Sequence, residues 1–163
     1  MSSWIGFLKV EIMNVCWYED DEIVIKFNII PDVDVRIIEP SMPKNLIEDI
    51  NKKPFINNEE LQVLIEDKIE QVFYGFAIKK GYIWDGASIP RVFWRLIGAP
   101  TDIKFLIPSL IHDILCENHD YIDDNRGLST LVFDCLLKVS RVHPFNRWLI
   151  KHSVDNYQKF CGW

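Results

Sequence analysis

The chain contains no Cys-x-x-Cys pair, no internal repeat, no low-complexity tract and no long uninterrupted apolar run. Each absence excludes a class. A spanning helix needs roughly 20 consecutive apolar residues, so no membrane partner is expected. The four cysteines, Cys16, Cys116, Cys135 and Cys161, are scattered. They offer no closed zinc set and read as reduced, buried thiols. Met1-Ser2-Ser3-Trp4 lacks the basic and apolar regions of a secretory signal, so residence in a cytosol is expected. Basic residues are the scarcer sign of charge: 18 Lys and Arg against 24 Asp and Glu, a net charge of -6. The pI is near 5.2. That balance argues against a duplex-DNA or RNA binder, and it leaves room for a small phosphate ligand held by one or two local cations.

Several catalytic signatures are also missing. There is no phosphate loop, no Gly-x-Gly-x-x-Gly, no His-Glu-x-x-His and no Gly-x-Ser-x-Gly. The four histidines are His112, His119, His143 and His152. None precedes the His112-Asp113 pair, which argues against a metal-dependent phosphohydrolase of the His…His-Asp…Asp type. His119, Asp120, Asp123 and Asp124 read as a solvated acidic loop. No metal and no cofactor are expected.

What is present suits one domain spanning 1–163. The chain is 48% hydrophobic and 13% aromatic, with six Trp and ten Phe, enough to build a core without staples. The first half reads as strands, over 7–15, 23–30, 61–66 and 69–76, with Glu19-Asp20-Asp21 in a turn. Four prolines punctuate 31–58, where Leu46, Ile47 and Ile50 line a short helix with Ser41 or Asn45 near its start. The second half reads as helices: a short one over 90–97, and one carrying Phe105, Leu106, Leu110, Ile111, Ile114 and Leu115 that Thr101 can cap. In the latter, Pro108 either kinks the helix or starts it. Two more helices follow, one capped by Ser129 and one opened by Pro144. The expected fold class is α+β, with N-terminal antiparallel strands (strand-rich 1–82), a motif turn (83–91) and a C-terminal cluster of three to four helices (92–163).

The candidate site is Gly81-Tyr82-Ile83-Trp84-Asp85-Gly86-Ala87-Ser88-Ile89-Pro90-Arg91, followed by Ile111-His112-Asp113. Gly86 permits a turn that aims Asp85 and Ser88 to one side. The guanidinium of Arg91 can fork onto a phosphate or carboxylate. Asp85 and Ser88 serve equally well as caps of a following helix, with Arg91 paired to a structural acid. His112 and Asp113 stand mid-helix among apolar residues, where charge is costly unless paired or facing a cavity. Histidine is the natural acid or base near neutral pH. Adjacent helical positions point about 100° apart, so each of the two needs its own partner. The alternative is a buried His–Asp network that locks two elements together. Trp84 and Trp94 flank the motif and can stack on a flat ligand, or pack as core. Arg147, in the last helix, can supply a second cation or lie on the surface.

At these residues the chain resembles a phage and prophage family, the domain of unknown function numbered thirteen fifty-three. The family pattern runs from a Gly-aromatic strand end, here Gly81-Tyr82, into Asp85-Gly86-Ala87-Ser88-Ile89-Pro90-Arg91, then Trp94 and His112-Asp113. The resemblance covers about residues 61–160. Trp84 stands where the family usually has Thr, Ile114-Leu115-Cys116 where an aromatic-Leu-Tyr run is frequent, and Ser129-Thr130 where an Ala-Asp pair is usual. The resemblance implies a virus-encoded protein of the host cytoplasm. By analogy with viral countermeasures against nucleotide signals, the expected function is a hydrolase: a metal-independent phosphodiesterase acting on a small or cyclic nucleotide. In it Arg91 binds phosphate, His112 is the base or acid, Asp113 or Asp85 orients it, and Ser88 donates a hydrogen bond. The alternatives are a binding protein that sequesters the nucleotide and a virion or morphogenesis accessory. The sequence leaves the oligomeric state open.

Overall fold

The computed structural model describes residues 15–85 and 105–160. They fall in two compact units, Met1–Asp85 and Gly86–Trp163. The strand expected from residue 7 and the helix expected over 90–97 lie outside the described residues, save for Val15. Antiparallel strands come first in the chain and helices second, the α+β arrangement expected from the order of the periodicities. Among the described residues no helix is long and apolar enough to cross a membrane.

The first unit holds two antiparallel sheets. Strands β1 (Val15–Glu19), β2 (Ile23–Phe27), β5 (Leu61–Asp67) and β6 (Val72–Ile78) form one, in the order β1-β2-β5-β6. Strands β3 (Val33–Val35), β4 (Phe55–Asn57) and β7 (Ile83–Trp84) form the other, in the order β3-β4-β7. Helix α1 (Lys44–Lys52) lies between β3 and β4 in sequence. β5 alternates buried and partly buried residues from Leu61 to Glu66, the mark of a strand with one covered face. Its register brings Ile65 opposite Ile25 and Tyr74, and Val63 opposite Phe27 and Phe76. All six are buried, so these cross-strand rows form the apolar face of the sheet. Two aspartates set the turns: Asp20 accepts from the amides of Glu22 and Ile23, and Asp67 from those of Ile69 and Glu70. β6 begins at Val72 rather than 69, because Lys68 to Gln71 turn the chain and Gln71 sits at φ 56. α1 begins after Pro43, with no side-chain cap from Ser41 or Asn45.

Asn57 ties the second sheet together. Its side chain is fully buried and donates to the carbonyls of Ile78 (3.3 Å) and Lys79 (3.1 Å). Its backbone takes the amide of Gly81 and gives its own to Tyr82, at 2.7 and 2.8 Å. Gly81 at φ 88 is the residue that lets the chain turn there.

The second unit is helical among the described residues: α2 (Leu106–Glu117), a 3-10 turn (His119–Ile122), α3 (Arg126–Val139) and α4 (Pro144–Phe160). α3 packs against both α2 and α4. Phe105, Phe133, Leu137, Val142, Ile150 and Val154 form one apolar cluster. Pro108 falls in the first turn of α2, where its missing N–H has no intrahelical partner to lose. Pro144 opens α4 as its sequence position predicts. The start of α3 differs from expectation. Asn125, not Ser129, is the cap, its side chain accepting from the Leu128 amide at 2.9 Å. Ser129 lies inside the first turn and returns its hydroxyl to the Arg126 carbonyl.

Replacing Asn57 with Ala leaves buried carbonyls without their donor, and it should destabilise the chain by about 1–3 kcal/mol in urea denaturation.

Candidate functional site

α2 carries His112 and Cys116 four residues apart, so both side chains lie on one helical face. That face meets Gln158 of α4. The Gln158 amide nitrogen stands 3.0 Å from His112 Nε2 and 2.9 Å from Cys116 Sγ. The Cys116 sulfur lies 3.6 Å from both ring nitrogens. Phe133 of α3 closes the other side, its ring centroid 4.7 Å from that of the imidazole. Three helices therefore contribute to one polar cluster inside an apolar bundle. His112 is only 8% exposed and Gln158 7%.

Burial sets the chemistry. An imidazolium in this setting loses its hydration, so the His112 pKa falls from 6.5 to about 4. The ring is neutral at physiological pH. With the amide donating, Nε2 accepts and the ring proton resides on Nδ1. The thiol moves the opposite way. Burial pushes Cys116 up to about 12; the Gln158 hydrogen bond lowers it, and the charges of Asp113 and Glu117 raise it further. Cys116 is thus a thiol and not a thiolate, and the pair cannot act as a thiolate–imidazolium nucleophile. The amide oxygen of Gln158 is enclosed and has no hydrogen-bond partner among the described residues. A buried carbonyl oxygen left this way costs about 1–3 kcal/mol, so a donor entering the cluster would be favoured there. No group of three Cys, His, Asp or Glu among the described residues is placed to hold a metal ion.

The other expected site residues that are described fall in both units. Asp113, the next residue of α2, is half-buried and adds negative charge near Cys116. Arg147 of α4 pairs with Asp134 of α3 at 3.3 Å, both side chains less than a fifth exposed. Trp84 is 1% exposed in β7, its ring 6.2 Å from Tyr82 and 5.6 Å from Phe55. Asp85 is exposed at the end of the first unit. Ser88, Arg91 and Trp94 lie outside the described residues. In the acidic stretch, His119 hydrogen-bonds Asp124 at the surface, and Asp123 and Asp124 both take left-handed backbone angles.

The sequence reading missed Gln158 as a partner of His112 and the i, i+4 pairing of His112 with Cys116. Signals for both exist. Ile150, Val154 and Gln158 follow one another at four-residue spacing, so a polar side chain stands in the buried stripe of α4.

A family model described as "Protein of unknown function (DUF1353)" matches residues 61–154. The match takes in His112 and Cys116 and stops short of Gln158. A curated relative, "Uncharacterized protein y4jT" of Sinorhizobium fredii (strain NBRC 101917 / NGR234), is 54% identical over 33 residues. That stretch is 20% of this chain and 10% of the relative, so it spans a small part of the other protein. No solved structure matches.

The cluster predicts a pH dependence of stability. An unfolded chain protonates this histidine near pH 6.5, and the folded chain does so only near 4. The folded state therefore loses stability as the pH falls between those values, by up to about 3 kcal/mol from this group. Urea denaturation at about pH 7 and about pH 4 should show that loss in the native chain and a smaller one in His112→Gln, the difference between the two isolating the histidine.

Proposed function

The chain belongs to the DUF1353 family of proteins of unknown function, and from that premise we propose that it is a hydrolase, a metal-independent phosphodiesterase acting on a small or cyclic nucleotide, with His112 as general base. The observation that carries this reading is the neutral imidazole fixed by Gln158. A general base must be unprotonated and held in one orientation, and His112 meets both conditions. In the reaction, water attacks phosphorus while the imidazole takes its proton. The phosphorus–oxygen bond to the leaving group breaks, and that oxygen receives a proton from the imidazolium. A base with a pKa of about 4 is weak in the free protein. The negative charge of a bound phosphate raises it toward neutrality, so activity rests on substrate binding. Arg91 holds the phosphate and Ser88 donates to it, while Gln158 orients the imidazole. Hydrolysis of a nucleotide signal would suit a viral countermeasure in a host cytoplasm, which is a reading by analogy.

The 8% exposure of His112 favours a second reading, that the protein binds and sequesters such a nucleotide without cleaving it. Enclosure limits proton exchange with water, which turnover requires and binding does not.

Incubation with a panel of linear and cyclic nucleotides, followed by mass spectrometry before and after heat denaturation, separates the readings. The hydrolase predicts new products, abolished in folded His112→Ala or, should that variant unfold, in His112→Asn. A ligand that disappears and returns intact on heating supports sequestration. No change in either sample contradicts both and leaves an accessory role in a virion.

A further inference from the structure

The outer side of α4 carries a second feature that the His112 cluster does not use. A cleft of about 360 Å³ opens between the first turns of α3 and the middle of α4. Its lining includes Arg126, Thr130, Lys151, His152 and Asp155. The charge there runs against the rest of the chain. Residues 1–85 hold sixteen acids against nine bases, and 86–163 hold eight against nine. Around the cleft Arg126, Lys151 and the neighbouring Lys159 outnumber the single carboxylate, Asp155. That carboxylate is already engaged: Arg126 donates to it at 2.9 Å, Lys159 stands 3.3 Å away, and the Thr130 hydroxyl donates at 3.4 Å. Asp155 is held below the usual carboxylate range by those partners, against the opposing effect of burial. Lys151 forms no ion pair among the described residues, and its ammonium can meet an incoming anion.

An aromatic shelf borders the same cleft. His152 lines it and tilts against the ring of Trp148, centroids 4.7 Å apart. Trp148 in turn stacks with Phe145 at 6.4 Å and 18°. Trp148 is 56% exposed and Phe145 55%, whereas Trp84 is almost completely buried and Trp17 partly so. Large exposed aromatics beside a cationic pocket are a costly arrangement for packing and a suitable one for a ligand with a flat ring and a negative group.

We propose that this α3–α4 cleft binds a mononucleotide, its phosphate on Lys151 within the positive field of Arg126 and its base on the exposed indole of Trp148 beside His152. Charge complementarity selects the phosphate, and every nucleobase has a face that stacks on indole. The volume lies at the small end of ligand pockets, which fits one nucleotide rather than a chain. This site is separate from His112 and does not depend on the hydrolase reading.

Calorimetric titration of the full chain at low salt tests it, with adenosine 5′-monophosphate, inorganic phosphate, adenosine and a ten-residue thymidine oligonucleotide as probes. The site predicts one equivalent of the monophosphate with a dissociation constant below about 1 mM, and weaker binding of phosphate or adenosine alone. Lys151→Ala and Trp148→Ala should each weaken it at least about tenfold, Lys151→Glu should abolish it, and added salt should weaken it. His112→Asn should leave it unchanged. Absence of binding, or undiminished binding in the Lys151 and Trp148 variants, overturns the proposal. So does loss of binding in His112→Asn alone, which assigns the nucleotide to the other site. A much tighter complex with the oligonucleotide overturns it in favour of single-stranded nucleic acid.

Discussion

The dehydration of one imidazole is the constraint on which the helical unit turns. A histidine inside an apolar bundle has three ways to be tolerated: it can find a counter-ion, reach water, or remain neutral with a hydrogen-bond partner. His112 takes the third way, and the partner must come from another helix, because its own next neighbour, Asp113, points about 100° away. Gln158 supplies that partner from the far end of the unit, 46 residues later in sequence. The pairing joins α2 to α4, while Phe133 of α3 packs on the ring, so the three helices must all be docked for the polar group to be satisfied. The same burial keeps Cys116 protonated. One physical cause thus yields both a neutral imidazole and a protonated thiol, and it disfavours thiolate chemistry at Cys116.

α4 then has two faces with different tasks. Ile150, Val154 and Gln158 turn inward, two of them to the apolar cluster and the third to His112. Phe145, Trp148, Lys151 and His152 are partly or largely exposed. Asp155 stands between, tying the helix to Arg126 of α3. Because the inner face is fixed by packing and the outer one by ion pairs, changes on either can be made with limited effect on the other. That separation makes the proposed cleft and the buried imidazole distinct sites.

The longer elements were legible because their periods are regular. β5 alternates over most of its length, Asp20 marks a turn by the chemistry of its side chain, and Pro144 opens a helix at a position where proline fits. β3, β4 and β7 were not legible. Strands of two or three residues have no period to read, and their pairing joins Val33 to Asn57 and Phe55 to Trp84 across long stretches of sequence. The α3 start was misread for a local reason: Gly127 in the first turn weakens the helical pattern, so the cap was sought after it rather than at Asn125. At the site, His112 was visible as a misfit among apolar residues. Its partner was hidden, because a glutamine carries no charge to flag and only its position in the Ile150–Val154 stripe gives it away.

The central claim is that His112 is a neutral, fixed imidazole at the pH where the protein works. Nuclear magnetic resonance of the chain labelled with nitrogen-15 in histidine reads this directly. The ring nitrogens of His112 should show one tautomer, protonated at Nδ1, that persists as the pH is lowered and titrates only near 4. A His112 signal that titrates near 6.5, or that averages between tautomers at neutral pH, would contradict the account and remove the basis for the proposed role as a base.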